Sequence, residues 1–479
     1  MKSSMLLSTS LAVFCLTLGR PPATGQEVGV RDIGSRRELF VDHYLIDRLD
    51  GVRLQLQQPR PGGGALTYEQ PGEGVFAFYT TVIKDGGKYR MYYRGEYRKT
   101  ICYAESTDGI RWTKPELGLV EIDGSKLNNV LMLSKELLAP FLDNRPGVPP
   151  DERYKANIEE KEGLFGYVSA DGLHWKKIDD RPIVPRKLKN HFDSQNVMFW
   201  SEAEQQYVLY ARHSEGGKRA QARSTSKDFR QWTPQVLMSY SDTGSTVPSD
   251  HLYTSQVQPY FRAPHIYVSL PGRFMNKRRA LSDEQAKGLI VNPKGGGIGD
   301  ISDGVLLTSR AGSSLLDRTF LEGFVRPGIG PANWVSRTNY PACGIVQTGP
   351  AEMSIYVQRN YGQKTAHLER LALRLDGFAS VHAPYKGGEV LTRPLRFTGK
   401  ELEINYASSA AGGIRVEIQE ADGKPLPGFA LDDCPEIIGD EIEHVVAWKG
   451  GSDVGKIARR TVRLRFVMKD ADLYSIRFR

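Results

Sequence analysis

The stretch STDGIRWTKP at residues 106–115 returns as SADGLHWKKI at 169–178 and, more loosely, as STSKDFRQWTP at 224–234. The first and third copies follow paired runs of alternating residues: YRMYYRG (89–95) then TICYAEST, and QQYVLYARH (205–213) then KRAQARSTS. Alternation with many Tyr and Val residues is a strand pattern. Asp-Gly supplies the positive φ that a tight turn between strands requires. A Trp two or three positions later can fold back over the hairpin. The copies therefore read as turns that finish repeated β-units, and not as catalytic motifs.

Working outward, each unit is a meander of about four strands and roughly 50–70 residues, a period characteristic of β-propellers. Five units are legible, at 75–132, 153–184, 196–238, 254–326 and 340–382, with LRLDGFASV replacing the Trp motif in the last. Unit four carries an insertion at 272–300, GRFMNKRRALSDEQAKGLIVNPKGGGIGD, which reads as a surface loop with one helical turn. Its glycines lack the strand-to-helix setting of a nucleotide loop. Beyond 387 the alternation is clean in LRFTGKELEINYAS, GIRVEIQEADGKPL, HVVAWKGG and TVRLRFVMKDADLYSIRFR, with Ala-Asp-Gly and Lys-Gly-Gly turns. That pattern predicts a β-sandwich. The expected architecture is all-β: a five-bladed propeller over 26–385 and a sandwich over 386–479.

The first 25 residues read as an export signal: Lys2, the apolar MLLSTSLAVFCLTLG, then small residues Ala23 and Gly25 at a cleavage site. The apolar run is too short to span a bilayer, so the expectation is a secreted or periplasmic protein with no membrane insertion. The remaining cysteines, Cys102, Cys343 and Cys434, are odd in number and form no CxxC pair, so no disulfide framework is expected. The formal net charge of +8 is spread along the chain, with only short basic runs such as NKRRA at 276–280. Nucleic-acid binding calls for a concentrated patch, and that partner is not expected. No EF-hand or His-x-x-x-His pattern appears, so no metal or other cofactor is predicted, although a propeller axis can hold calcium on oxygen ligands.

Several stretches carry a family resemblance: RELFVDHYLID (37–47), KYRMYYRG (88–95), HFDSQNVMFW (191–200), LYTSQVQPYFRAPHIYV (252–268) and KDADLYSIRF (469–478). The exported five-bladed propeller followed by a sandwich resembles glycoside hydrolase family 32 and its relatives in families 43, 62 and 68, and these stretches are more similar still to a secreted bacterial group described as family 32-like. The chain lacks the Asn-Asp-Pro-Asn, Arg-Asp-Pro and Glu-Cys motifs of invertases, so no catalytic residue carries over from them. The resemblance implies a carbohydrate substrate and a funnel on the propeller axis, lined by carboxylates at the starts of the innermost strands.

Glycoside hydrolysis needs one carboxyl group that is protonated and one that is ionised. Glu73, ahead of the apolar VFAFYTTV, and Asp193, ahead of NVMFW, are the predicted catalytic pair. Arg262, His251 and Tyr253 are the predicted sugar-holding residues, with Asp42, Asp303, Glu322 and Tyr340 as further substrate contacts. Asp151 and Glu152 are weaker candidates from unit two, and Glu159, Glu160 and Glu162 read as a solvated charge run. Two other readings stay open: a non-catalytic carbohydrate-binding propeller, and a sialidase. The repeated motif resembles the sialidase Asp-box but is one residue shorter, and sialidases use six blades and an arginine triad.

Overall fold

The structure, a computed structural model, describes residues 29–96, 99–188, 191–241, 250–289 and 297–479. The export signal at 1–25 lies outside the described residues. The all-β class holds: among the described residues the only α-helix is the turn Asp283–Ala286 inside the predicted insertion.

Five sheets follow one another along the chain, antiparallel except that Ser239–Ser241 runs parallel to Leu315–Asp317 in the fourth, and each has one opening strand at the same end: Phe78–Asp85, Leu138–Leu142, Val197–Ser201, Val257–Tyr260 and Val346–Gln347. These opening strands line one common channel. The first and fifth sheets meet directly, Val82 N donating to the Cys343 carbonyl at 2.7 Å. The fifth sheet is completed by Arg60–Thr67, an early segment pairing with His367–Arg374. Gly344 makes the closure possible: its φ is +134°, and a Cβ there would lie 2.4 Å from the Val82 carbonyl oxygen. Gly344→Ala is expected to cost about 1–3 kcal/mol of unfolding free energy, read as a lower denaturant midpoint at unchanged slope. An unchanged midpoint would remove Gly344 from the closure.

The repeated turns are built as the sequence implies. Ser106 Oγ accepts from Gly109 N at 2.8 Å, and Asp108 Oδ1 accepts from the N–H groups of Ile110 and Arg111, both at 2.8 Å. Ser169 and Asp171 repeat the pattern, as do Ser226 and Asp228. These N–H donors hold the Asp108 and Asp171 carboxyls well below the usual range. In the third copy Phe229 takes the glycine position at φ +67°.

Two boundaries differ from the sequence reading. Unit two opens at Leu138, not at residue 153. Its first strand, LAPFL, carries Pro140 and no alternation, which hid it. Residues 31–56, assigned above to the propeller, instead pair into the C-terminal sheet: Arg31–Gly34 with Leu395–Phe397, Ile46–Asp50 with Gly388–Thr392, and Arg53–Leu56 with Ala379–Ala383. That ten-stranded sheet encloses its own apolar core, including Phe397, Val416, Phe466 and Phe478. The ends of the insertion also pair, Gly272–Asn276 with Asp300–Gly304, in a three-stranded sheet with His251–Tyr253.

Candidate active site

At the entrance to the opening strands lies a cavity of about 220 Å³. Its wall is aromatic: Phe78, Tyr79, Tyr253, Phe274, Tyr340 and Tyr361. The rings pack on one another, with centroids 5.6 Å apart for Tyr253 and Tyr340 and 5.1 Å for Phe78 and Tyr361. Three carboxyl groups, Glu136, Glu159 and Asp193, and three guanidinium groups, Arg94, Arg219 and Arg337, also line it, with Leu137 and Ser194. Beneath it, Gln195 Nε2 donates to Thr81 Oγ1 at 2.6 Å, and Gln256 Nε2 donates to Gln195 Oε1 at 2.8 Å and to the Pro341 carbonyl at 3.0 Å. A separate cavity of about 390 Å³ lies farther along the opening strands and is lined mainly by apolar residues such as Phe141, Val197 and Val257.

The backbone around the cavity is unusual. Tyr79, Phe192, Thr254, Arg337, Asn339 and Asn360 all have φ between +52° and +70°. Tyr79 and Arg337 line the cavity, and each of the others adjoins a lining residue: Asp193, Tyr253, Tyr340 or Tyr361. For non-glycine residues this conformation costs about 1–3 kcal/mol each and persists only where surroundings enforce it. Here it re-aims the side chains at the heads of the opening strands. In the first sheet the pairing register slips between Phe78 and Thr81, across Tyr79.

Asp193 is 68% exposed at its side chain and is ion-paired with Arg212 Nη1 at 2.5 Å. Glu159 is mostly buried and ion-paired with Arg186 Nη2 at 2.6 Å. Burial pushes its carboxyl up to about 7 despite Arg186, and the charges of Glu136 and Asp193 push the same way. Glu136 and Glu159 also border an open groove of about 490 Å³ on their other side, running to Tyr167 and Arg186. Tyr79 and Tyr253 share a hydrogen bond between their hydroxyls, and Tyr253 Oη donates to the Asp193 carbonyl at 3.2 Å. Burial raises both phenols, which keeps them as proton-bearing donors.

Three predicted residues, Asp193, Tyr253 and Tyr340, come together here. The other six do not. Glu73 is fully enclosed away from the cavity: it accepts from Tyr93 Oη, from Lys114 Nζ at 2.7 Å, from Asn129 Nδ2 at 3.2 Å and from Gln70 N at 2.8 Å. It anchors a loop of the first sheet, and the predicted pairing of Glu73 with Asp193 is corrected. Arg262 binds Asp376 (3.1 Å) and Glu443 (2.9 Å) beside the ten-stranded sheet. Asp42 takes a two-pronged contact from Arg310 at 3.0 Å. Asp303 is forked by Arg273 at 2.9 and 2.5 Å, and Glu322 is exposed outside the lining. His251 stands behind the wall, where its Nδ1 faces Arg219 Nη1 at 3.3 Å.

Glu136 and Glu159 were missed. Glu136 obeys the rule used for Asp193, an acid just ahead of an opening strand, but that strand was not recognised. Glu159 and Glu160 look alike in sequence, yet neighbouring strand positions face opposite ways. Glu160 pairs with Lys177 at 2.8 Å, while Glu159 faces the cavity. Among the described residues no group of His, Cys, Asp or Glu is gathered closely enough to hold a metal ion, and no helix is long and apolar enough to cross a membrane.

No protein-family model matches the chain, and no curated protein matches its sequence. Among solved structures the chain is similar to a glycoside hydrolase at 11% identity and TM-score 0.42, over 66% of this chain and 92% of that one. It is similar to an N-acetylgalactosamine deacetylase from F. plautii at 12% identity and TM-score 0.41, over 67% and 95%. It is also similar to the Bombyx mori GH32 beta-fructofuranosidase at 10% identity and TM-score 0.37, over 91% and 95%.

Proposed function

We infer that the protein is a glycoside hydrolase, with Glu159 as general acid and Asp193 as the carboxylate that acts on the sugar carbon or on water. One observation carries this reading: two carboxyl groups in unlike settings line the same cavity, Glu159 with its side chain 13% exposed and Asp193 with its side chain 68% exposed, and burial pushes the Glu159 carboxyl up to about 7. Hydrolysis requires that split between two carboxyl groups. The position of Glu159 supports it further. The acid must protonate the oxygen joining two groups, and Glu159 borders both the cavity and the open groove. The sugar would occupy the cavity, stacked on the aromatic wall, and the leaving group would lie in the groove. Glu136 lifts the Glu159 proton affinity by its charge. An export signal at 1–25 would place the site among extracellular glycans.

The test is hydrolysis by the purified protein of a broad panel of aryl glycosides and oligosaccharides, with Glu73→Gln alongside. The reading expects turnover of at least one substrate and kcat/KM kept in Glu73→Gln, since Glu73 is a loop anchor. Binding of a glycan with no cleavage across the panel would favour the carbohydrate-binding alternative.

A further inference from the structure

Resting on that reading, we propose that Arg186 is a positioning residue of the site, one guanidinium that holds the Glu159 carboxylate and the loop carrying Asp193 at a set separation. Arg186 is anchored to the second sheet. It follows Val184–Pro185, which pairs with Gly163–Leu164, and its backbone N donates to the Glu162 carbonyl at 2.8 Å. Its side chain then points donors in two directions. Toward the hairpin that carries Glu159, Nε donates to the Lys161 carbonyl at 3.0 Å, and Nη2 donates to the Glu160 carbonyl at 2.9 Å and to Glu159 Oε1 at 2.6 Å. Toward the third sheet, Nη1 donates to the His191 carbonyl, and the guanidinium lies over the Phe192 ring at 5.7 Å. His191 and Phe192 directly precede Asp193.

That loop needs a hold from outside. Phe192 has φ +70°, a conformation that persists only where the surroundings enforce it. Within the third sheet, Phe192 N donates to the Arg212 carbonyl at 3.3 Å, and Arg212 Nη1 reaches both the Asp193 carbonyl and Asp193 Oδ2 at 2.5 Å. Arg186 adds the tie to the neighbouring sheet. Three residues past Asp193, Asn157 Nδ2 makes a second tie, donating to the Asn196 carbonyl at 2.8 Å. The planar fork of an arginine can serve a carboxylate and three carbonyls at once, which the compact ammonium of a lysine cannot. Arg186 also acts on the charge of Glu159. It favours the ionised carboxylate, against burial and against the charges of Glu136 and Asp193. Lys135, Glu160 and Lys161 share the groove with Glu159, and Arg94, Arg219 and Arg337 share the cavity. His191 stays neutral near pH 7, because burial and the charges of His213, Arg186 and Lys187 bring its imidazole down to about 4.

The experiment separates the fork from the charge. Arg186→Lys keeps the charge and loses the tie to the His191 carbonyl. It should lower kcat by about 10–10²-fold, the cost of a small misplacement, while the alkaline limb of the pH profile stays near that of wild type. Arg186→Met removes the charge as well, and its limb should move up by about one unit or more. In Arg186→Ala, added ethylguanidinium should restore part of kcat and ethylammonium should not, which distinguishes a missing fork from a damaged fold. Wild-type kcat in Arg186→Lys, or an unmoved limb in Arg186→Met, would overturn the proposal and leave the hydrolase reading intact. A readout without substrate keeps the two claims apart. In wild type the backbone amide signals of Phe192 and Ser194 should follow the titration of Glu159 near pH 7, and in Arg186→Met they should stop following it. That result supports the tie even if nothing is cleaved, an outcome that would defeat the hydrolase reading alone. Amide signals that ignore Glu159 in wild type, or follow it equally in Arg186→Met, would overturn the tie.

Discussion

Glu159→Gln lowers kcat/KM by about 10²–10⁴-fold on substrates with poor leaving groups, the range that general acid catalysis supplies. The same change is expected to cost far less on aryl glycosides such as dinitrophenyl glycosides, whose leaving group departs without a proton. That split identifies a proton donor, because a merely structural residue would slow both substrates alike. Glutamine keeps the shape of the side chain and can still face Arg186, which contacts Glu159 at 2.6 Å, so the fold is expected to survive. Equal losses on both substrate types would remove Glu159 from the role of acid.

Asp193→Ala is expected to lower turnover by about 10³-fold or more, since it removes the group proposed to attack carbon or activate water. The side chain is largely open to the cavity and its one ion pair is with Arg212, so removing it should not unfold the chain. A small anion can fill the vacated space. Added azide should therefore restore turnover, forming a glycosyl azide as N₃⁻ bonds to the anomeric carbon and the leaving group departs with the Glu159 proton. The azide should sit on the face opposite the departing group. Failure of azide and formate to rescue, with the fold intact, would mean that Asp193 does not face the reacting carbon.

Much of this was legible from local chemistry. The Ser-x-Asp-Gly turns identified themselves because every bond they make lies within a few residues. Asp193 followed from one rule, an acid just ahead of an opening strand, while Tyr253 and Tyr340 were chosen as sugar-contacting residue types in units four and five; all three line the cavity. The same rule chose Glu73 wrongly, because the strand starts only at Phe78 and the intervening turn sends the carboxylate to Lys114 and Tyr93. It missed Glu136 because Pro140 disguised the strand that follows. Glu159 was hidden by its neighbours: Lys161, Glu160 and Glu162 give the hairpin a solvated look that only the direction of each side chain resolves. Pairings between distant segments left no local trace. Arg310 with Asp42, Arg262 with Asp376, and residues 31–56 with the C-terminal sheet are all of this kind. The guanidinium cluster is likewise assembled from positions 94, 219 and 337.

The most direct measurement is the pH dependence of kcat/KM for wild type and Glu159→Gln on a substrate that needs its leaving group protonated. Because burial raises the Glu159 carboxyl to about 7, the acid is armed below that pH and loses its proton above it. Wild-type activity should therefore fall as pH rises through about 7, tenfold per unit beyond, and the fall should vanish in Glu159→Gln. A wild-type profile flat to pH 9, or an alkaline limb that persists unchanged in the variant, would contradict the assignment of Glu159 as the acid.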